Sequence, residues 1–492
     1  MFMPLEIPPG IRRGGTDLQS AGRWRDANLV RWRDGSMQPV GGWRSFGDTT
    51  LNAAPRGAHS WATNSGTSWL AFGTYNKIYV VAGDGTTSDV TPAGLTAGIE
   101  NPTTNTGWGG GFWGRGTWGT PRPETGSVSS ATVWSMDNWG ENLVACSPDD
   151  GKLYEWTLST GTAAAAISNA PTGCTAVMAT DERFLFALGA GGNDRKVQWS
   201  DREDNTTWTP DSTNEAGSLE LQTAGRILAG ARLRGQALIL TTTDAHVATY
   251  QGPPFVWGFE RVGSYCGLVA PAAVAVLDGG AYWMGRESFY RYVGGAVEPL
   301  PCEVEDYVFS SINLDQISKA HAVTNARFNE VWWFYCSTSS TEIDRYVTYD
   351  ANQNIWSIGE MDRTAAVDSG AAKYPVWFDS DGDGYQHEIA AFSWGSSSIF
   401  AETGPISMGV GENTFSVTEL LPDEKTQGDV TATFKTRMHP NDVEREYGPY
   451  TMTNPTSVRF TGRQIRMRVD AVEMADWRVG IPRLRTASRG RR

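Results

Sequence analysis

The chain has 492 residues, a formal net charge of −14, 56 glycines and 21 tryptophans, with 40% hydrophobic residues. Its length suits about three ordinary domains or one closed repeat body, and no apolar run nears the roughly 18 residues of a membrane span. The Met1–Ile11 start does not read as a signal peptide. The five cysteines (Cys146, Cys174, Cys266, Cys302 and Cys336) are odd in number and never form a Cys-x-x-Cys pair. That spacing argues against a disulfide framework or zinc site, and for buried thiols in a soluble chain assembled in a reducing cytoplasm.

Residues 1–53 are rich in Gly and Arg, with Gly-Ile-Arg-Arg-Gly-Gly at 10–15 and Arg23-Trp24-Arg25. They read as an extended arm, with Leu29-Val30-Arg31-Trp32 as one strand, that lies along a neighbour or closes a ring. Short strands bounded by Gly, Asn or Asp then follow at 56–63, 68–74, 77–83 and 88–93, with the hairpin signal Gly-Asp-Gly at 83–85. From here an aromatic strand ending in a tight turn recurs. The marker residues are Tyr79, Tyr154, Trp199, Tyr250, Tyr290, Tyr346 and Phe400, at gaps of 75, 45, 51, 40, 56 and 54 residues. Propeller blades repeat at about 40–50 residues, so the period predicts an all-β fold. The expected architecture is a β-propeller over 54–405 of about seven blades, with six or eight as the neighbouring counts.

The long first gap holds an insert at 97–130 centred on Trp108, Trp113 and Trp118. Seven of the thirteen residues from Gly107 to Gly119 are glycine, too costly in backbone entropy to form a core alone. Either the loop projects and its tryptophans anchor a partner, or it folds back on its own propeller. Later blades fall near 131–170, 172–221, 225–263, 269–303, 320–358 and 364–405. Runs such as 237–242 and Val331-Trp332-Trp333-Phe334-Tyr335 suit strands buried on both faces. One short helix is expected within 303–319. After Gly404 the rhythm stops, leaving a small β domain over 406–480 and a loose basic tail at 481–492.

The charge is unevenly placed. From Arg459 to Arg492 ten arginines face three acids, a net of +7, so the other 458 residues carry −21. An acidic body repels nucleic acid over most of its surface, while the basic end, with Arg489, Arg491 and Arg492, suits an acidic partner. Asp379-Ser-Asp381-Gly-Asp383-Gly384 spaces three carboxylates like the first half of a calcium loop. The acid expected at the twelfth position is replaced by Ala390, and an acidic hairpin turn reads the same. Ser147-Pro-Asp149-Asp150-Gly151 resembles the start of an Asp-box, itself a structural turn. His59, His246, His321, His387 and His439 are isolated, and no phosphate loop, dinucleotide fingerprint or nucleophile elbow is present. No catalytic residue and no cofactor is expected beyond that calcium candidate.

Several motifs resemble tail proteins of short-tailed bacteriophages. They are Pro9-Gly10-Ile11-Arg12, Arg31-Trp32-Arg33-Asp34-Gly35 with Pro39-Val40-Gly41-Gly42-Trp43, and Tyr265-Cys266-Gly267-Leu268-Val269-Ala270-Pro271. Others are Ala281-Tyr282-Trp283-Met284-Gly285, Asn329-Glu330-Val331-Trp332-Trp333-Phe334-Tyr335, and Gly462-Arg463-Gln464 with Trp477-Arg478-Val479-Gly480. The resemblance is to the tail nozzle, or tail tubular (packaged-DNA-stabilisation), family. It implies a non-enzymatic virion subunit in a homo-hexameric ring that lines and helps close the DNA exit channel. Its expected partners are adaptor and portal-side proteins, fibre or spike proteins, and DNA that passes without specific binding. A receptor- or glycan-binding tail protein and a propeller glycosidase are the two alternatives.

Overall fold

The computed structural model describes residues 2–103, 129–389, 393–408 and 413–491. Seven four-stranded antiparallel sheets follow one another as meanders. They cover 58–89, 135–166, 176–220, 227–264, 274–299, 321–360 and 365–389, and are called blades 1 to 7 here. The first strands of successive blades are neighbours, and that of blade 7 returns to that of blade 1. The molecule is thus a β-propeller, closed so that few sheet edges are left open.

The sequence dictates this packing locally. Glu330–Tyr335, the second strand of blade 6, is buried at every position, because each blade is covered on both faces by its neighbours. Trp332 leans on Trp377 of blade 7 at 5.2 Å, and on the opposite face Trp333 meets Phe289 of blade 5 at 4.8 Å. Offset aromatic pairs of this kind lock the angle between blades. Between blades 5 and 6 lie the short helix Glu305–Ser311 and a 3-10 turn, Leu314–Lys319, as the apolar spacing of that connector predicts.

Six marker aromatics fall on third strands: Tyr79, Tyr154, Trp199, Tyr250, Tyr290 and Tyr346. The seventh does not. Phe400 begins the strand Phe400–Thr403, which pairs with Trp24–Asn28 and Gln464–Ala471 outside the propeller. Blade 7 supplies only three strands from its own stretch, ending at Ile389. Its fourth is Gly42–Thr50 from the N-terminal arm, so the propeller does not run to residue 405 as the repeat suggests.

The remaining strands form a two-sheet β domain on the flank of blade 6. One sheet runs in the order Phe2–Pro4, Arg483–Arg491, Asn413–Leu421, Thr456–Gly462. The other runs Trp24–Asn28, Phe400–Thr403, Gln464–Ala471, Val430–Arg437, Arg445–Thr451, with Ile406–Ser407 beside Gln464–Ala471. Val417, Leu420, Phe434, Phe460, Met467, Val469 and Leu484 fill the space between them. The expected loose tail at 481–492 is therefore wrong over Arg483–Arg491. Leu484 alternates with exposed Arg483 and Arg485, the period-2 pattern of a strand with one covered face.

The arm is the thread that joins the two bodies. Phe2–Pro4 and Trp24–Asn28 enter the two sheets of the flanking domain, the hairpin Val30–Arg33/Ser36–Pro39 crosses over, and Gly42–Thr50 completes blade 7. Along the way the Ile11 amide donates to the Trp356 carbonyl on the outer strand of blade 6 (2.8 Å). The Leu29 amide donates to the Tyr346 hydroxyl (2.8 Å).

Candidate functional site

Three clusters of polar side chains occupy the places where the bodies and blades meet. The deepest is built on Arg31, whose guanidinium reaches Glu330 of blade 6 (2.9 Å) and both oxygens of Glu388 of blade 7 (2.5 and 3.0 Å). All three side chains are nearly fully buried. The Glu388 carboxylate also accepts from the Asn325 amide and from the Gly41 backbone N–H (2.9 and 3.1 Å). Gly41 has a reason to be glycine: a Cβ there would lie 2.7 Å from the Glu388 Cα. Burial pushes Glu330 up to about 7 in spite of the Arg31 charge. Burial opposes the charge on Arg31 too, but the two glutamates hold its pKa above the ordinary value.

The second cluster lies where the first strands of the blades begin. Arg56, entering blade 1, makes a two-pronged bond to Glu342 in blade 6 (3.0 and 2.6 Å). Lys319 donates to the same glutamate, to the Thr341 carbonyl and to Asn101 (3.1, 2.5 and 2.7 Å). Burial lowers the Lys319 pKa, with Arg56 adding to the effect. Burial acts against ionised Glu342, yet the Arg56 bond and charge keep its pKa below the usual range. Beneath these groups a cavity of about 200 Å³ is lined by residues from the starts of all seven first strands. Buried His321 lies there, stacked on Phe334 at 5.0 Å, and burial depresses it to about 4. Arg232 of blade 4 bonds Asp137 of blade 2 (3.2 Å). Ion pairs thus join blades 1 and 6, and blades 2 and 4, neither pair being neighbours in the ring.

The third cluster is the acidic turn. The Asp379 carboxylate accepts from the backbone amides of Asp381 and Asp383 (3.1 and 2.9 Å). Asp383 accepts from the Thr50 hydroxyl (2.7 Å), tying the turn to the arm strand. Only Asp381 points out exposed and without a partner among the described residues. Next to the turn, Arg363 is buried and donates from Nε to His387 Nε2 (2.9 Å), and His387 stacks on Trp377 at 4.0 Å. Burial lowers the Arg363 pKa to about 10, against the charges of Asp379 and Asp362. Among the described residues no three His, Cys, Asp or Glu side chains are grouped to hold a metal ion.

The other predicted residues fall as follows. Asp149 and Asp150 organise a turn: Asp150 accepts from Tyr154 (2.5 Å) and from the Thr96 amide (3.0 Å). Trp108, Trp113, Trp118 and Arg492 lie outside the described residues, as does Ala390. The neck of the insert is described, and it is closed, since Ser129 N donates to Thr103 O (3.0 Å) and Thr103 N to Ser129 Oγ (2.9 Å). That neck sits beside the Lys319 cluster, through Asn101 and through Ala131 N to Ser318 Oγ (3.0 Å). Arg489 is exposed on the strand Arg483–Arg491, of which Arg491 is the last residue. Residues 51–389 carry 38 acids against 20 lysines and arginines, a net of −18, so the excess negative charge belongs to the propeller.

These features define a β-propeller bound to a flanking β domain by a shared N-terminal arm. No family model matches the chain, and no curated protein does. Solved structures that resemble it include virginiamycin B lyase from Staphylococcus aureus, 7% identical, covering 70% of this chain and 99% of that one with a TM-score of 0.44. The β-propeller domain of Cps50 from Myceliophteria thermophila is 8% identical, with 70% and 98% covered and a TM-score of 0.41. BamB from Moraxella catarrhalis is 9% identical, with 79% and 98% covered and a TM-score of 0.38. Identities this low are likenesses of fold alone.

Proposed function

We propose that this chain is a structural subunit of a bacteriophage tail, the nozzle ring that lines and helps close the DNA exit channel. The observation that carries the reading is the arm. One continuous segment supplies strands to both sheets of the flanking domain and the closing strand of blade 7, and Arg31 pins it between blades 6 and 7. Such lacing makes two bodies into one stiff block, which suits a wall under load. The load is resisted by backbone ladders and a buried ion cluster rather than by a hinge.

Charge supports the same role. A wall past which DNA slides must avoid phosphate contacts, because each lysine or arginine bound to a phosphate adds salt-dependent affinity. A propeller at −18 meets that need. Arg56–Glu342 and Arg232–Asp137 tie non-adjacent blades together inside one subunit, and the DNA path in this reading is the lumen between subunits. The insert at 97–130 and the basic strand Arg483–Arg491 are the contacts to adaptor and distal tail proteins, and the ring is a homo-hexamer.

The test is electron microscopy of the purified chain and of the virion. Six-fold rings, and six copies on the tail axis around DNA, are the expected result. A peripheral trimer, or a monomer that cleaves polysaccharide, overturns the proposal.

A further inference from the structure

Where the arm hairpin, the first turn of blade 6 and the C-terminal loop converge, three exposed arginines share one cleft. Arg33 and Arg327 lie 5.6 and 5.3 Å from the centre of the Phe328 ring, and the buried Arg31 lies 3.8 Å from it. Arg478 lines the same cleft, a space of about 190 Å³. Arg31 is neutralised by Glu330 and Glu388. Among the described residues neither Arg33 nor Arg327 has an ion-pair partner, and Arg478 has only a distant one, Asp476 at 3.9 Å. The cleft lining sets four arginines, Arg31, Arg33, Arg327 and Arg478, against Glu388 and Asp476, a small positive excess on a chain of net −14 that favours an anion.

We propose that this cleft receives the carboxylates of an acidic turn from a second copy of the chain, with the Asp379–Asp383 turn as the segment that enters. The inference rests on the ring reading above and supplies its contact. In a meander the turns after the first and second strands lie at opposite ends of the blade. The cleft is at the first turn of blade 6 (326–329), and the acidic turn follows the second strand of blade 7 (379–382). First strands run the same way round the ring, so the two features occupy opposite faces and cannot meet within one molecule. Contact between them joins unlike surfaces of successive copies, the head-to-tail arrangement that closes into a ring when the rotation allows. Asp381 is the exposed carboxylate of that turn, without a partner among the described residues and presented by a backbone that Asp379 and Asp383 hold in place. A short anionic projection fits better than a phosphate track, because Asp34, Asp278 and Asp350 rim the adjoining cavity and repel a long polyanion.

The experiment follows self-association of the full-length chain by sedimentation velocity. Binding of a cyclic peptide of residues 378–384 is measured alongside. Arg33→Glu with Arg327→Glu is expected to weaken both by about tenfold or more, as is raising salt from about 0.05 M to about 0.5 M. Asp381→Arg weakens association to a similar extent, and combining it with Arg327→Glu restores part of the loss. Arg33→Gln with Arg327→Gln, whose melting is compared with the parent chain, guards against a folding defect. Association that ignores all of these changes overturns the inference while leaving the ring intact. A chain that stays monomeric overturns both the inference and the ring, and peptide binding that Arg327→Glu removes then shows an anion-binding cleft and no contact between copies. Failure of the peptide to bind, or loss of short duplex DNA binding alone in the arginine variants, overturns the inference in favour of no ligand or of nucleic acid.

Discussion

Replacing Arg31 by methionine removes the cation that, among the described residues, pairs with both Glu330 and Glu388. The Arg31, Glu330 and Glu388 side chains are only 6%, 7% and 3% exposed, so in the parent chain they rely on one another rather than on solvent. Breaking a buried pair by removing one partner costs about 3–5 kcal/mol, because the charges left behind are uncompensated. Here two remain, at contacts of 2.9 and 2.5 Å in the parent chain, and the upper half of that range is expected. The loss depends on pH in a fixed direction. Glu330 stands at about 7 in the folded chain, above its ordinary value of 4.5. Its contribution to stability is thus fully present below about 4.5 and is lost as pH rises through about 7. Without Arg31, Glu330 holds its proton to still higher pH, so the deficit of the variant is largest near pH 8 and shrinks toward pH 5. Urea unfolding followed by tryptophan fluorescence measures this, since Trp332 donates to Glu330 (3.0 Å) and reports on the pocket. Adding Glu330→Gln and Glu388→Gln to the methionine variant should recover most of the stability. A deficit below about 1 kcal/mol at pH 8, or one that is the same at pH 5, refutes the argument.

Other outcomes follow from the same geometry. His321 and His387 are buried with pKa values depressed, His321 to about 4. Their share of stability is present above about 6.5 and falls as pH drops below it, by up to about 1.4 kcal/mol per pH unit for each; His321→Phe should flatten that acid slope in urea titrations, and an unchanged slope contradicts it. Trp108→Ala, Trp113→Ala and Trp118→Ala together should impair ring or tail assembly and leave the monomer melting curve in place, whereas normal assembly retires the anchor role. Calcium should not raise the melting temperature, because Asp379 and Asp383 are spent on their own turn and on Thr50; a calcium-dependent rise that Asp381→Asn removes would show a metal site. Gly41→Ala should weaken arm docking, seen as faster proteolysis before residue 50, since its Cβ would collide with the Glu388 backbone.

Much of the propeller was legible because a blade's third strand must place an aromatic against its neighbours, and that demand repeats every 40–56 residues from Tyr154 to Tyr346. The same signal failed at Phe400, where an aromatic strand serves a different sheet. Periodicity reports that a strand exists and says nothing about which sheet takes it. The closing strand of blade 7 was hidden for a related reason, since Gly42–Thr50 pairs with residues some 340 positions away. Nor could any local pattern join Arg31 to Glu330 and Glu388, although Arg31 and Glu330 both stand in motifs visible in the sequence. The strand Arg483–Arg491 was legible in principle, through Leu484 between two arginines, but the run of positive charge masked its alternation.

The most direct test of the nozzle role is the symmetry and position of the chain in an imaged virion. Six copies arranged head to tail on the tail axis, with DNA in the lumen between them and none through a single propeller, are the predicted result. Copies at the tail periphery in threes, or DNA threaded through one subunit's own channel, would contradict it.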